Sequence, residues 1–273
     1  MTMNENIEKE TLTNNKPLDY IEVTELAGED VSQEQVDRIC HRYFWAQGYC
    51  EGKDVIEVAC GSGQGLGCLA KVANKVVAGD YSDAILNTAR SHYQERIKLM
   101  QFDAQNMPFE DHSYDVIIIF EAIYYLPEAE KFMRECKRVL RPGGMVLIAT
   151  ANKDLYDFNP SPHSYTYYGV RELDSLLRHC GFTSSFFGTV DTAQVSLKQK
   201  VFRPIKKVVV ASGLMPKTMK GKKLLKRFVF GKLIKMPAEI EAEMTSYQVP
   251  TVLSSERPDT RHKVIYCAAT LKN

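Results

Sequence analysis

The sequence has seven cysteines but no Cys-x-x-Cys pair, so the usual signatures of zinc ribbons and thiol–disulfide centres are missing. An odd number of thiols also argues against a complete disulfide framework, and they are read as reduced thiols in a cytoplasmic protein. No apolar run approaches the roughly 18 residues that cross a bilayer; Val116 to Phe120 is typical of the most apolar stretches. The polar, acidic start from Met1 to Glu10 resembles neither a secretory leader nor a transit peptide. His41, His92, His112, His179 and His262 are scattered without ligand spacing, so no metal site is expected.

What is present is globular chemistry. The chain has 273 residues, 44% hydrophobic and 25% charged, which excludes collagen, coiled coil and wholesale disorder. A chain of this size buries about 75% of its unfolded surface, enough to hold a core without staples. The net charge of +1 conceals a division. From Lys198 to Pro237 there are 13 Lys and Arg and no Asp or Glu, leaving 22 basic against 34 acidic residues elsewhere. Such asymmetry points to an interaction surface on one part of the molecule.

Residues 1–30 are acidic and short of periodic apolar residues, and are expected to be mostly loose with an ordered stretch near Tyr20 to Val23. Ser32, three residues ahead of Gln35, predicts a capping box and a helical cap over 31–50, with Val36, Ile39, Cys40, Tyr43 and Phe44 facing inward. An α/β core follows over 51–190. Strands are predicted at Asp54–Ala59, Lys75–Gly79, Ile97–Phe102, Val116–Phe120 and Met145–Thr150, and helices at Gly65–Val72, Asp83–Tyr93 and Glu128–Leu140. Alternation of apolar strands with helices implies a parallel sheet covered on both faces. Arg141-Pro142-Gly143-Gly144 reads as a turn before the fifth strand. A helix over Val170–His179 and strands over Phe182–Thr189 and Lys263–Thr270 complete the pattern. Residues 191–262 form a basic insertion, expected to be helical, before the last strand and C-terminus at 263–273.

The most informative segment is Val55-Ile56-Glu57-Val58-Ala59-Cys60-Gly61-Ser62-Gly63-Gln64-Gly65, a strand, a glycine-rich turn and a helix start in that order. Glycines let the backbone approach a ligand at the carboxyl end of a parallel sheet. The dinucleotide spacing G-x-G-x-x-G fails here, because Leu66 and Cys68 stand where it needs glycine, and the register from Gly65 begins too late. Glu57, inside the strand before the turn, is placed to accept hydrogen bonds from a ligand's ammonium end.

These residues resemble the first motif of class I S-adenosylmethionine (SAM)-dependent methyltransferases, acidic-x-Gly-x-Gly-x-Gly, matched by Glu57, Ala59, Gly61 and Gly63 with Ala59 in place of the first glycine. The resemblance covers about Lys53 to Thr189 plus a strand near Lys263 to Thr270. It implies a Rossmann-like sandwich with a mostly parallel seven-stranded sheet and an antiparallel last strand. It also implies that Asp80, with Tyr81 beside it, holds the ribose hydroxyls, and that Asp103 and the Ala104 amide hold adenine. Tyr114-Asp115 ahead of Val116 to Phe120 then looks like strand four.

The same resemblance implies methyl transfer. After strand four the chain reads Glu121-Ala122-Ile123-Tyr124-Tyr125-Leu126-Pro127, without the Asn/Asp-Pro-Pro-aromatic clamp of nucleic-acid amino methyltransferases. It is more similar to small-molecule enzymes, with transfer to a hydroxyl of a sugar-containing or anionic lipid-like acceptor as the expectation. Tyr43, Trp45, Tyr124, Tyr125, His163, Tyr165 and Tyr168 are candidates for the acceptor pocket. His163 is either a general base or an exposed loop histidine. Glu121 either orients the acceptor or ends a strand, and Tyr43 either caps SAM or packs its helix.

The basic segment has three readings: a solvated face; an amphipathic surface for an anionic membrane or a charged acceptor, since Leu224, Leu225, Phe228 and Val229 interleave with Lys222, Lys223, Lys226 and Arg227; and, third, a nucleic-acid grip. An RNA methyltransferase, or a SAM-binding protein without methyl transfer, would share the cofactor motifs.

Overall fold

The computed structural model describes residues 20–193 and 233–272. The expectations for residues 1–19, and for the basic amphipathic stretch within 194–232, fall outside the described residues. Ten strands and five α-helices make up the described fold. The strands are β1 (Asp30–Val31), β2 (Asp54–Val58), β3 (Lys75–Asp80), β4 (Lys98–Gln101), β5 (Tyr114–Phe120), β6 (Leu140–Ala151), β7 (Phe182–Asp191), β8 (Ile234–Lys235), β9 (Thr251–Leu253) and β10 (His262–Leu271). The helices are α1 (Gln33–Cys50), α2 (Leu66–Ala70), α3 (Asp83–Tyr93), α4 (Ala129–Val139) and α5 (Val170–His179).

Eight strands form one sheet in the order β4-β3-β2-β5-β6-β10-β7-β9. The block β4-β3-β2-β5-β6 is parallel, and β10 runs antiparallel to both β6 and β7. The sheet has one strand more than the seven expected. The extra strand is β9, which pairs antiparallel with the outer side of β7 and covers three residues of its edge.

Period-two alternation along β5 sends side chains to two cores. Ile117 and Ile119 pack with Phe132, Met133 and Cys136 of α4 and Leu173 and Leu177 of α5. Val116, Ile118 and Phe120 pack on the opposite face with Ile39, Tyr43 and Trp45 of α1. Each fully buried large side chain contributes about 1.5–3 kcal/mol. α1 begins where the capping box predicts: the Ser32 side chain accepts from the Gln35 amide and the Gln35 side chain returns to the Ser32 amide.

Two expectations are corrected. Residues 141–144 are not a turn ahead of the strand but a bulge within it. Tyr114 pairs with Leu140 and Val116 with Met145, so three extra residues are accommodated on β6, with Gly143 at φ 74°. Arg141, on that bulge, ion-pairs Asp54 and Asp115, each at 2.9 Å, and so ties β2, β5 and β6 together. The helical expectation also fails over 233–262, which holds β8, β9 and a 3-10 turn at Ala242–Met244. Pro237, Pro250 and Pro258 interrupt any helix there, and the backbone is satisfied by other segments. β8 pairs with β1, Gly28 N donates to Met236 O, and Ile240 N donates to Gln64 O.

Candidate functional site

A cleft of about 570 Å³ opens at the carboxyl ends of β2, β3 and β5, roofed by α1 and by the 3-10 turn Tyr20–Val23. Its floor is the loop after β2, where Ala59, Gly61 and Gly63 all adopt positive φ (51°, 60° and 79°). Alternating left-handed residues fold the backbone tightly under the cleft. Ala59 does so at a steric cost that glycine avoids, of the order of 1–3 kcal/mol. Gly63 does not line the cleft. Its carbonyl accepts from the Tyr93 hydroxyl at 2.8 Å, and that oxygen in turn accepts from the Gly67 amide, so α3 fixes the loop from behind.

Glu57 closes the bottom of the cleft. It is 2% exposed, accepts a short hydrogen bond from the Tyr43 hydroxyl on Oε1, and has no partner for Oε2. Burial pushes its pKa up to about 8, and the charge of Asp80 adds to this against the opposing Tyr43 hydrogen bond and Arg42 charge. Tyr43 therefore packs and lines at once. Its ring lies on Gly65, where an added Cβ would collide with it, and edge-on to Phe120 at 5.3 Å.

Asp80, at the end of β3, accepts from the Gly61 amide on one oxygen and the Ser82 amide on the other, both at 2.9 Å. Burial raises its pKa against these hydrogen bonds. Tyr81 beside it is half exposed at the cleft mouth, and Asp103 and Ala104 line the far wall, with Asp103 accepting from the Gln105 amide at 2.8 Å.

At the other end, Glu121 follows β5 in a left-handed conformation (φ 53°) and its Oε2 accepts from Tyr124 Oη at 3.1 Å. Burial and the Glu121 charge push the Tyr124 phenol well up. Tyr125 meets Ser161 Oγ at 2.5 Å and the Tyr20 ring at 5.3 Å.

Of the residues expected at the site, Tyr43, Glu57, Ala59, Gly61, Asp80, Tyr81, Asp103, Ala104, Glu121, Tyr124, Tyr125 and Tyr165 line this one cleft. Besides Gly63, three candidates do not. His163 is an exposed loop residue (φ 65°) outside the lining, Trp45 packs in the core 4.9 Å from the Tyr266 ring, and Tyr168 packs against the α4–α5 core. Sequence reasoning missed Arg38, Arg42, Tyr20 and Gln64, all of which line the cleft. The i, i+4 spacing of Arg38 and Arg42, ahead of Tyr43 on one helix, was the available signal for the arginines. No group of three His, Cys, Asp or Glu among the described residues is arranged to hold a metal ion.

An open parallel sheet with a left-handed loop after its first core strand and acids at successive strand ends defines a nucleoside-cofactor site. Residues 56–148 match the family described as "Methyltransferase domain". A probable S-adenosylmethionine-dependent methyltransferase of Mycobacterium tuberculosis is 36% identical over 137 residues, covering 49% of this chain and 50% of the relative. A fatty-acid O-methyltransferase of Mycolicibacterium smegmatis is 37% identical over 109 residues, 39% of this chain and 40% of the relative. The chain thus spans about half the length, or less, of these curated relatives. The solved structure of the YcgJ protein of Bacillus subtilis shares the fold, with a TM-score of 0.56 at 15% identity over 86% of this chain and 99% of that one.

The cofactor implied by the family match and the relatives is S-adenosylmethionine, and the residues present fit it. The orphaned Glu57 oxygen is free to accept from an ammonium group in the cleft, the left-handed loop gives close backbone approach, and the Asp80 carboxylate stands where a pair of hydroxyls needs an acceptor.

Proposed function

We propose that this chain transfers a methyl group from S-adenosylmethionine to an oxygen of a small, lipid-like or sugar-containing acceptor bound between α1 and the end of β5. The observation that carries the reading is the buried, unpartnered Glu57 Oε2 in the same cleft as Asp80 and Asp103. Bound there, the cofactor supplies an electrophilic methyl group on a sulfonium. Glu57 receives the ammonium end, Asp80 the ribose hydroxyls, and Asp103 with the Ala104 amide the adenine. Tyr81 covers the mouth.

The acceptor half is lined by Phe120, Ala122, Tyr124, Tyr125, Leu126 and Pro127, an apolar and aromatic wall suited to a lipid-like body. The fatty-acid O-methyltransferase among the relatives supports this choice. Orientation of an acceptor oxygen toward the methyl group is worth up to about 7–11 kcal/mol in well-aligned cases. Glu121 accepts the proton of a hydroxyl acceptor: one oxygen is held by Tyr124, which fixes the carboxylate. His163 has no part in this, being exposed outside the cleft.

The test is to incubate the purified chain with S-adenosylmethionine and panels of hydroxylated lipids, fatty acids and sugars. S-adenosylhomocysteine formation and acceptor mass are then measured. A product heavier by one methylene unit and lost in Glu121→Gln is expected. Binding of the cofactor without product from any panel would instead favour a SAM-binding protein that does not transfer methyl groups. A product on RNA alone would favour the nucleic-acid alternative.

A further inference from the structure

α1 presents Arg38, Ile39, Arg42 and Tyr43 to the cleft. Arg38 and Arg42 are one turn apart and share a helix face. Neither has a carboxylate within 4 Å among the described residues. Arg138 and Arg141, by contrast, each hold two. Among the described residues, Arg38 Nε is buried with no hydrogen-bond partner, and Arg42 Nε donates to the Arg38 carbonyl at 3.4 Å.

The acids nearby are engaged by other donors: Glu25 Oε1 accepts from Gln35 Nε2 at 2.5 Å and Glu121 Oε2 from Tyr124. Burial pulls the Arg42 pKa down, but the charges of Glu121, Tyr266, Tyr43 and Glu25 outweigh it and the net shift is upward. Two cations without a direct counter-ion, facing an apolar and aromatic wall, describe a pocket for a molecule with an acidic group at one end and an apolar body behind it.

Resting on the methyl-transfer reading of this cleft, we propose that Arg38 and Arg42 bind the carboxylate or phosphate of an amphiphilic acceptor and select it over its uncharged counterpart. The methionine end of the cofactor carries a carboxylate of the same chemistry, so the experiment separates the two sources.

The purified full chain is titrated calorimetrically with octanoate and with octanol, each in saturating S-adenosylhomocysteine, and separately with S-adenosylhomocysteine alone. The expected result is octanoate binding at least about tenfold tighter than octanol, as charged hydrogen bonds allow. Arg38→Gln with Arg42→Gln should erase that preference while retaining S-adenosylhomocysteine binding, weakened only as far as the missing Arg42 charge raises the Glu57 pKa, which also reports that the variant is folded. Arg38→Lys with Arg42→Lys should keep part of it. Octanoate binding no tighter than octanol, or equally tight in the glutamine variant, overturns the proposal. Loss of S-adenosylhomocysteine affinity in that variant also overturns it, because the arginines then serve the cofactor. If the unaltered chain fails to bind S-adenosylhomocysteine, the methyl-transfer reading falls as well; if it binds and shows no octanoate preference, this inference alone falls.

Discussion

Glu57, next to last in β2, has a carboxyl group whose pKa is pushed up to about 8 by burial, so its protonated form predominates at neutral pH. An ammonium group binds only the ionised form. Cofactor affinity should therefore rise with pH toward 8, by up to about tenfold per unit, and fall again above it as the ammonium group loses its own proton. Calorimetry from pH 6.5 to 9 checks this, and Glu57→Gln should flatten the profile. The same shift has a stability sign. A pKa raised on folding means that the folded state holds the extra proton between the ordinary carboxyl value and about 8, so stability falls as pH rises through that window. Asp80 gives a second expectation. Asp80→Ala strips the acceptor from the Gly61 and Ser82 amides as well as from the ribose, and S-adenosylhomocysteine affinity should drop about a hundredfold, some 2.7 kcal/mol. Retained affinity would sink the ribose assignment. That Glu57, Asp80 and Asp103 share one cleft was legible because each lies near the carboxyl end of a strand that the apolar runs delimit, while their roles come from the resemblance. Arg38 and Arg42 were not, since the apolar stripe of α1 reports only the face on the sheet, and the cleft exists only once the helix docks across the strand ends. His163 misled for the converse reason: closeness in sequence to β6 does not fix where a loop side chain points.

Among the elements, β2, β3 and β5 could be read from runs of five to seven mostly apolar residues, and the predicted bounds of α3 and α5 match to the residue. β1, β8 and β9 have two or three residues each, too few to carry any period. The β6 bulge was taken for a turn because Pro-Gly-Gly has the composition of one, and only pairing with β5 on both sides reveals a continuous strand. The packing of α1 against the loop after β2 makes a sharp prediction. A Cβ at Gly65 would run into the Tyr43 ring. Gly65→Ala must displace that ring and with it the Glu57 hydrogen bond, costing about 1–3 kcal/mol as overpacking does. Thermal denaturation should show the loss, and cofactor affinity should weaken in parallel; an unchanged melt would mean that Tyr43 is free to move.

Over the whole molecule, charge is divided between a basic segment at 198–237 and an acidic remainder. Such a molecule should associate with vesicles containing anionic lipid at low salt and leave them as ionic strength approaches 0.15 M, where the Debye length is about 8 Å. Co-sedimentation checks this, with Lys222, Lys223, Lys226 and Arg227 replaced by glutamine as the comparison. No helix among the described residues is long and apolar enough to cross a membrane. The sheet order has a consequence for biosynthesis. β10 lies between β6 and β7, yet it is made well after both. A growing chain therefore carries two open strand edges separated by a vacant lane until β10 arrives. During that interval the nascent protein offers an apolar template to any neighbouring chain, and overproduction should burden chaperones more than the finished, closed sheet would suggest.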